Sequence, residues 1–233
     1  MNAPFESAVP FKLERSRLVA AQVYDHLRDM IISLAIKPGA VLDRQELAAY
    51  FKVSLTPIRD ALLKLEEEHL VAIFPQHATR VTAIDVQSAH QAHFLRQAVE
   101  LELVHALAQQ PQLGLAEELR GLIARQKAAA DGADFDRFVA MDHAFHRRLY
   151  NAGGVDDLFD LVRHRSGNLD RLRRLHVPIP GKTQSILGDH AAIVQAIAEG
   201  DPAAAQQALR RHLSGTLADV ARIRERYPEY LSD

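Results

Sequence analysis

From Asp85 to Arg226 the chain has room for little but helices. Apolar residues recur at helical spacing throughout, as at Phe94, Leu95, Val99, Leu101, Leu103 and Leu107. The interruptions are short. Pro111 and Gly114 end the first stretch, Asp131-Gly132 the second, and Gly153-Gly154 the third. Pro178 and Pro180 end the fourth and Gly200 the fifth. Asp201-Pro202 then supplies a cap and a first-turn proline for the sixth. The predicted helices are 85–110, 115–130, 134–152, 155–176, 183–199 and 201–226. Joins this short require antiparallel neighbours, so the expectation is an antiparallel six-helix bundle.

The chain before Asp85 has a different rhythm. Leu18–Leu34 is amphipathic and ends at Lys37-Pro38-Gly39. Val41-Leu42 is a short extended piece. Asp43 can cap a helix over 44–51 with Leu47, Ala48 and Phe51 inward. Lys52-Val53-Ser54 is a corner. Ser54 or Thr56 can cap the next helix, which carries Pro57 in its first turn and buries Ile58, Leu62, Leu63 and Leu65. Residues 70–74 and 80–84 are β-like, with a turn at 75–79 between them. Helix, helix, helix, hairpin is the order of a winged helix-turn-helix. The protein is therefore expected to be mainly α, with a lead-in at 1–15, a DNA-binding domain at 16–84 and an all-helical domain at 85–233.

In such a module the exposed start of the third helix, Leu55, Thr56 and Arg59, faces base edges. Arg59 suits a bidentate contact with guanine, and Arg44, Lys52 and Arg80 can neutralise phosphates. The plainer alternative is a small helical domain with solvated charges. Charge does not decide between them, because the net charge is only −2 and residues 1–83 are balanced. The 233 residues hold no cysteine, which excludes disulfides and thiolate metal sites and suits a cytoplasmic protein. No stretch approaches a membrane span, and Met1–Pro10 lacks the pattern of a signal peptide.

Within the helical half, Asp142 and His146 stand four residues apart, on one helical face. His190 precedes the apolar positions Ile193, Val194 and Ile197, and His212 lies between Leu209 and Leu213. One carboxylate and three imidazoles suit a borderline divalent ion such as Zn²⁺ or Ni²⁺. Taken singly, each of these histidines is equally an ordinary core or surface residue. His143, one position along, points to another face.

Pro38-Gly39, Glu46-Leu47-Ala48, the run Val53-Ser54-Leu55-Thr56-Pro57-Ile58-Arg59-Asp60-Ala61-Leu62, and Leu65-Glu66 with Glu68-His69-Leu70-Val71 resemble the N-terminal module of GntR-type bacterial transcription regulators. Three positions depart from the family pattern. Leu55 replaces an arginine, His69 replaces a helix-ending glycine, and Ala78 replaces the glycine at the wing tip. The departures imply an operator somewhat different from that of typical members. Residues 85–225 resemble the FCD effector domain of the FadR subfamily, in its shorter, six-helix VanR-like branch.

The resemblance implies metal ligation by Asp142, His146, His190 and His212. It also matches Arg96 and Glu100 to the family's R-x-x-x-E pair on the first effector helix, in which Arg96 clamps a ligand carboxylate; the same spacing also fits a surface salt bridge. Arg165 and Arg171 are further candidates for that task. The implied function is a ligand-responsive regulator, expected to be a homodimeric repressor on a palindromic double-stranded operator. Its effector is expected to be a small carboxylate. The competing reading is a metal-dependent hydrolase or lyase built on the Asp/His cluster.

Overall fold

The computed structural model describes residues 11–74 and 78–232. The expected lead-in before residue 11 lies outside the described residues, as do positions 75–77 of the expected turn. The chain forms two compact units, Met1–Val86 with Arg224–Asp233 and Gln87–Ile223.

The first unit contains α1 (Val19–Ile32), β1 (Val41–Leu42), α2 (Arg44–Phe51), α3 (Leu55–Glu67), β2 (Val71–Phe74) and β3 (Ala78–Val81). The strands form an antiparallel sheet in the order β1-β3-β2, with Val41 opposite Arg80 and Ala72 opposite Arg80 on the other side. Val23, Leu27 and Ile31 of α1 pack with Leu47, Phe51, Ile58, Leu62, Leu65, Val71 and Val81. Asp43 caps α2 by accepting from the amides of Gln45 and Glu46 at 2.8 and 2.9 Å. The corner to α3 is tight because Lys52 adopts φ +55°, and His69 ends the α3 region at φ +58°. His69 thus takes the left-handed conformation expected where it replaces glycine.

Several local expectations are corrected. Ser54 occupies the N-cap of α3 but makes no side-chain capping bond. Leu63 is 43% exposed, because the buried face runs Ile58, Ala61, Leu62, Leu65 and position 63 lies a further ~100° around the helix. The second wing strand begins at Ala78 and ends at Val81, not 80–84. Beyond it, Thr82 turns back onto the carbonyls of Leu70 and His69.

Ile84 is then free to pair elsewhere. Its amide donates to Tyr230 and its carbonyl accepts from Ser232, making a parallel bridge with Leu231. Residues 224–232 thus complete the N-terminal unit, whereas the sequence reading ran the C-terminal domain to 233.

The second unit contains α4 (Val86–Gln109), α5 (Leu115–Asp131), α6 (Phe135–Ala152), α7 (Asp156–Arg165), α8 (Gly167–His176), α9 (Lys182–Glu199) and α10 (Pro202–Ala218), with α11 (Val220–Arg226) leaving it. Two of the six expected helices are therefore divided. The first break is at Ser166, whose hydroxyl donates to the Val162 carbonyl at 2.7 Å, a bond that competes with the helical ladder. The second is at Asp219, whose carboxylate is drawn to Lys182 (2.5 Å) and His176 (2.8 Å).

The main core joins Val104 and Leu107 of α4, Phe145 and Leu149 of α6, Ile193 and Ile197 of α9, and Leu209 and Leu213 of α10. A second apolar cluster holds Ala129, Phe138, Val139 and Val177. Asp142 lies between Phe138 and Phe145 on α6, so a polar layer separates the two clusters. Gly153 closes α6 where a Cβ would stand 2.3 Å from Leu103 Cδ1, so any larger residue there would have to displace the end of the Leu103 side chain. Phe94, expected among the packed positions of α4, is 75% exposed, off the face that carries Ala92, Arg96 and Leu103. Among the described residues no helix is long and apolar enough to cross a membrane.

Candidate metal centre and DNA-reading surface

The four candidate ligands of the polar layer come from three helices. α6 supplies Asp142 and His146, α9 supplies His190 and α10 supplies His212. All four are buried, and one ligand atom from each lies within 4.8 Å of all the others. His212 Nε2 stands 3.1 Å from His146 Nε2 and 3.3 Å from His190 Nε2. Asp142 reaches 3.6 Å from His190 Nε2 and 4.0 Å from His146 Nε2.

Proton accounting shows what this layer lacks. His190 Nδ1 faces the Gln126 side-chain oxygen at 2.9 Å, so its proton sits there and Nε2 presents a lone pair. His146 Nδ1 stands 3.0 Å from Glu100 Oε2, not aligned as a hydrogen bond, yet the carboxylate still favours the proton on Nδ1. Two lone pairs therefore point at His212 Nε2, which has at most one proton to give. Asp142 Oδ2 accepts from Arg173, while Oδ1 is buried with no hydrogen-bond partner. A cation at the centre relieves all of this. Nitrogens 2.0–2.1 Å from one zinc-sized ion stand about 3.3 Å apart in tetrahedral and about 2.9 Å apart in octahedral coordination; the two nitrogen–nitrogen spacings, 3.1 and 3.3 Å, fall in that range, and the Asp142 oxygens stand wider, at 3.6 and 4.0 Å. The residues fit a divalent ion.

The electrostatics agree with deprotonated ligands. Burial pushes His190 down to about 3 and holds His212 well below its ordinary value. Burial alone would raise Asp142, but Arg173 and the three imidazoles outweigh it and keep the carboxyl well below the usual range. Glu100, likewise buried, is brought down to about 2 by Arg96 and His146. His143 is pushed by burial to about 4.

A pH dependence follows for metal-free protein. Both His143 and His190 have folded pKa values below the unfolded value of ~6.5, so the unfolded chain takes up protons first as pH falls. Stability is expected to be flat above pH 6.5. Below it, stability is expected to fall with pH, as the unfolded chain protonates these histidines while the folded chain holds them neutral down to about 4 for His143 and about 3 for His190. Thermal melts of chelator-treated protein between pH 8 and 5 check this, and a melting temperature that rises with acid contradicts it.

Beside His212 lies a cavity of about 130 Å³, walled also by Arg96, Arg173, His176, Lys182 and Thr216. Arg96 donates to Glu100 through Nε at 2.8 Å and is buried, so the pair is no surface salt bridge. Tyr150 supports Glu100 with a hydroxyl at 3.4 Å. Arg173 bridges Asp142 and, at 3.5 Å, Asp170.

In the N-terminal unit, α3 exposes Leu55, Thr56 and Arg59 while burying Ile58 and Leu62. Arg44, Lys52 and Arg80 are also exposed. Arg59 lies 3.8 Å from Asp60 in a solvated pair that holds it weakly. A groove of about 350 Å³ brings together Val41, Arg44, Leu55, Phe74 and Thr79.

Residues 19–81 match the family model described as bacterial regulatory proteins, gntR family, and residues 91–215 match the FCD domain. The chain is 36% identical, over 89% of its length and 87% of the relative's, to an HTH-type transcriptional regulator in an unstable DNA locus of Streptomyces ambofaciens. The chain belongs to the GntR family of bacterial transcription regulators and carries an FCD domain. A second relative is the HTH-type transcriptional repressor RspR of Escherichia coli K12, 27% identical over 97% of this chain and 99% of that one. The solved structure of E. coli McbR/YncC superposes with a TM-score of 0.75 at 20% identity, over 91% and 99% of the two chains.

This GntR regulator is thus a DNA-binding protein, and its relatives are regulators rather than enzymes, which sets aside the hydrolase or lyase reading. Of the residues expected around the regulator's effector pocket, Arg96 and Glu100 stand against the Asp/His cluster. The structure does not bring Arg165 or Arg171 there. Arg165 is exposed, and Arg171 is buried elsewhere, donating to Asn168 at 2.6 Å. Arg173 takes the place expected of them: two residues turn a helix by about 200°, so Arg171 and Arg173 leave α8 on opposite sides. Gln126 and Arg173 were not foreseen, since neither has a sequence spacing to the ligands that marks it.

Proposed function

We propose that this regulator holds a divalent ion on Asp142, His146, His190 and His212, and that a small carboxylate bound there modulates its affinity for an operator. The observation that carries the reading is the meeting of three imidazole nitrogens and an unpartnered carboxylate oxygen beside a cavity also walled by Arg96 and Arg173. A bound ion of the Zn²⁺ or Ni²⁺ type would supply a Lewis-acid anchor for the effector's carboxylate. Arg96 and Arg173 provide planar donors for the same group. Burial of the cluster excludes water and strengthens these contacts. Switching requires that the effector prefer one arrangement of the bundle over another.

On the DNA side, α3 lies in the major groove with Leu55, Thr56 and Arg59 toward the bases, while Arg44, Lys52 and Arg80 face phosphates. The chain acts as a cytoplasmic homodimer on a palindromic operator, and the repressor name of RspR favours repression. Gel shifts with the regulator's own upstream DNA, with and without short carboxylic acids and with and without chelator, test the proposal. Specific binding that no acid and no chelator alters contradicts it.

Arg59→Ala is expected to cost about 1–3 kcal/mol of specific binding, roughly 5- to 150-fold, with little change in melting temperature. Lys52→Ala is expected to weaken all duplexes alike and to lower the salt slope by about 1.

A further inference from the structure

The first position of the recognition helix is leucine, and half of its surface is open. Leu55 is 51% exposed, Phe74 at the end of β2 is 49% exposed, and Val41 on β1 is 44% exposed. Scattered exposed apolar residues need no explanation, but these three line one groove. The groove's polar side chains are Asp43, which is spent on capping α2, the buried Thr79, and Arg44 and Gln45 in the first turn of α2.

The apolar part of this wall, Leu55 with Val41 and Phe74, has nothing to offer a guanine, whose major-groove edge presents two acceptors. It also offers nothing to the amino groups of cytosine or adenine. The one apolar group on the major-groove edge is the C5 methyl of thymine. The N-terminal residues of a recognition helix are those that meet base edges. We infer that Leu55, with Phe74 beside it, reads a thymine methyl, so that each operator half-site carries an obligatory T·A pair at the position Leu55 faces. Leu55 is then a specificity-determining residue, and Arg59 on the next turn reads a different base. The inference rests on α3 entering the major groove, which Arg59→Ala tests separately.

Deoxyuridine differs from thymidine only by that methyl, which makes the test direct. An operator is first selected from random duplexes with the full-length protein, and its thymines are then replaced singly by deoxyuridine. One replacement per half-site is expected to weaken binding about fourfold, the effect of burying one methyl group. With Leu55→Ala, which alters an exposed side chain, the same replacement is expected to have no effect. Leu55→Arg is expected to move the preference at that position to guanine. The inference is overturned if no single thymine is sensitive, or if the sensitivity survives in Leu55→Ala. Retained discrimination by Arg59 in either case shows that the helix is placed as described and that Leu55 alone was misread.

Discussion

His190→Ala is expected to abolish the rise in melting temperature that a divalent ion gives the wild-type protein. With free metal at about 100 times its dissociation constant, binding stabilises the folded state by about 2.7 kcal/mol. In a domain of this size that is roughly 5–10 °C. His190 is central to the effect because its Nε2 faces both His212 and Asp142 while its ring stacks on Phe145 at 4.0 Å. Its loss removes a ligand and the part of the framework that aims the others. Metal affinity is expected to fall at least 100-fold, and no acid should then alter operator binding.

The variant also leaves the Gln126 oxygen unpaired, which costs about 1–3 kcal/mol whether or not metal is present. The informative quantity is therefore the difference between metal-free and metal-loaded melts of the same variant. Gln126→Leu supplies the graded comparison. It keeps all four ligands but frees the His190 ring, so metal affinity is expected to fall about 10- to 100-fold with full occupancy restored at high metal. Equal metal stabilisation in wild type and His190→Ala would count against the site.

The second large effect lies in the DNA-binding unit. Arg28 donates from Nε to Glu68 at 2.8 Å, and both side chains are only 9% exposed. Tyr24 donates its hydroxyl to the other Glu68 oxygen. Together they tie the middle of α1 to the end of α3, where His69 must turn through a left-handed conformation. Arg28→Ala leaves the Glu68 carboxylate buried without its guanidinium, a change worth about 3–5 kcal/mol. For a unit this small the melting temperature is expected to drop by roughly 15–25 °C. Because α3 is the helix that presents Arg59, operator binding should fail at temperatures the wild type tolerates. Arg28→Met combined with Glu68→Gln removes both charges and is expected to recover most of the loss. A single variant that melts like wild type would show that the pair contributes little.

Much of this was legible in the chain because it is local. Asp43 and Asp201 cap helices as their positions announce, and Pro202 opens α10 as a first-turn proline does. Asp142 and His146 share a face by spacing alone, and His190 and His212 sit on the inward stripes of α9 and α10 beside Ile193 and Leu209. What was not legible depends on pairings between distant elements. Arg173 reaches Asp142 from α8, which starts at a break at Ser166 that no proline or glycine pair announces. Gln126 orients His190 from a helix that carries no other polar residue of the cluster. The return of Leu231 to Ile84 joins positions with no common period or motif. Leu63 and Phe94 were misplaced for a simpler reason: apolar identity was counted where only helical phase decides burial.

The metal is the hinge of the functional account, and native mass spectrometry of the full-length protein addresses it most directly. After chelation and reloading with Zn²⁺ or Ni²⁺, wild type should carry one ion per chain and His190→Ala none. A wild-type chain that stays metal-free under micromolar excess of both ions, or a variant that loads as fully as wild type, would contradict it.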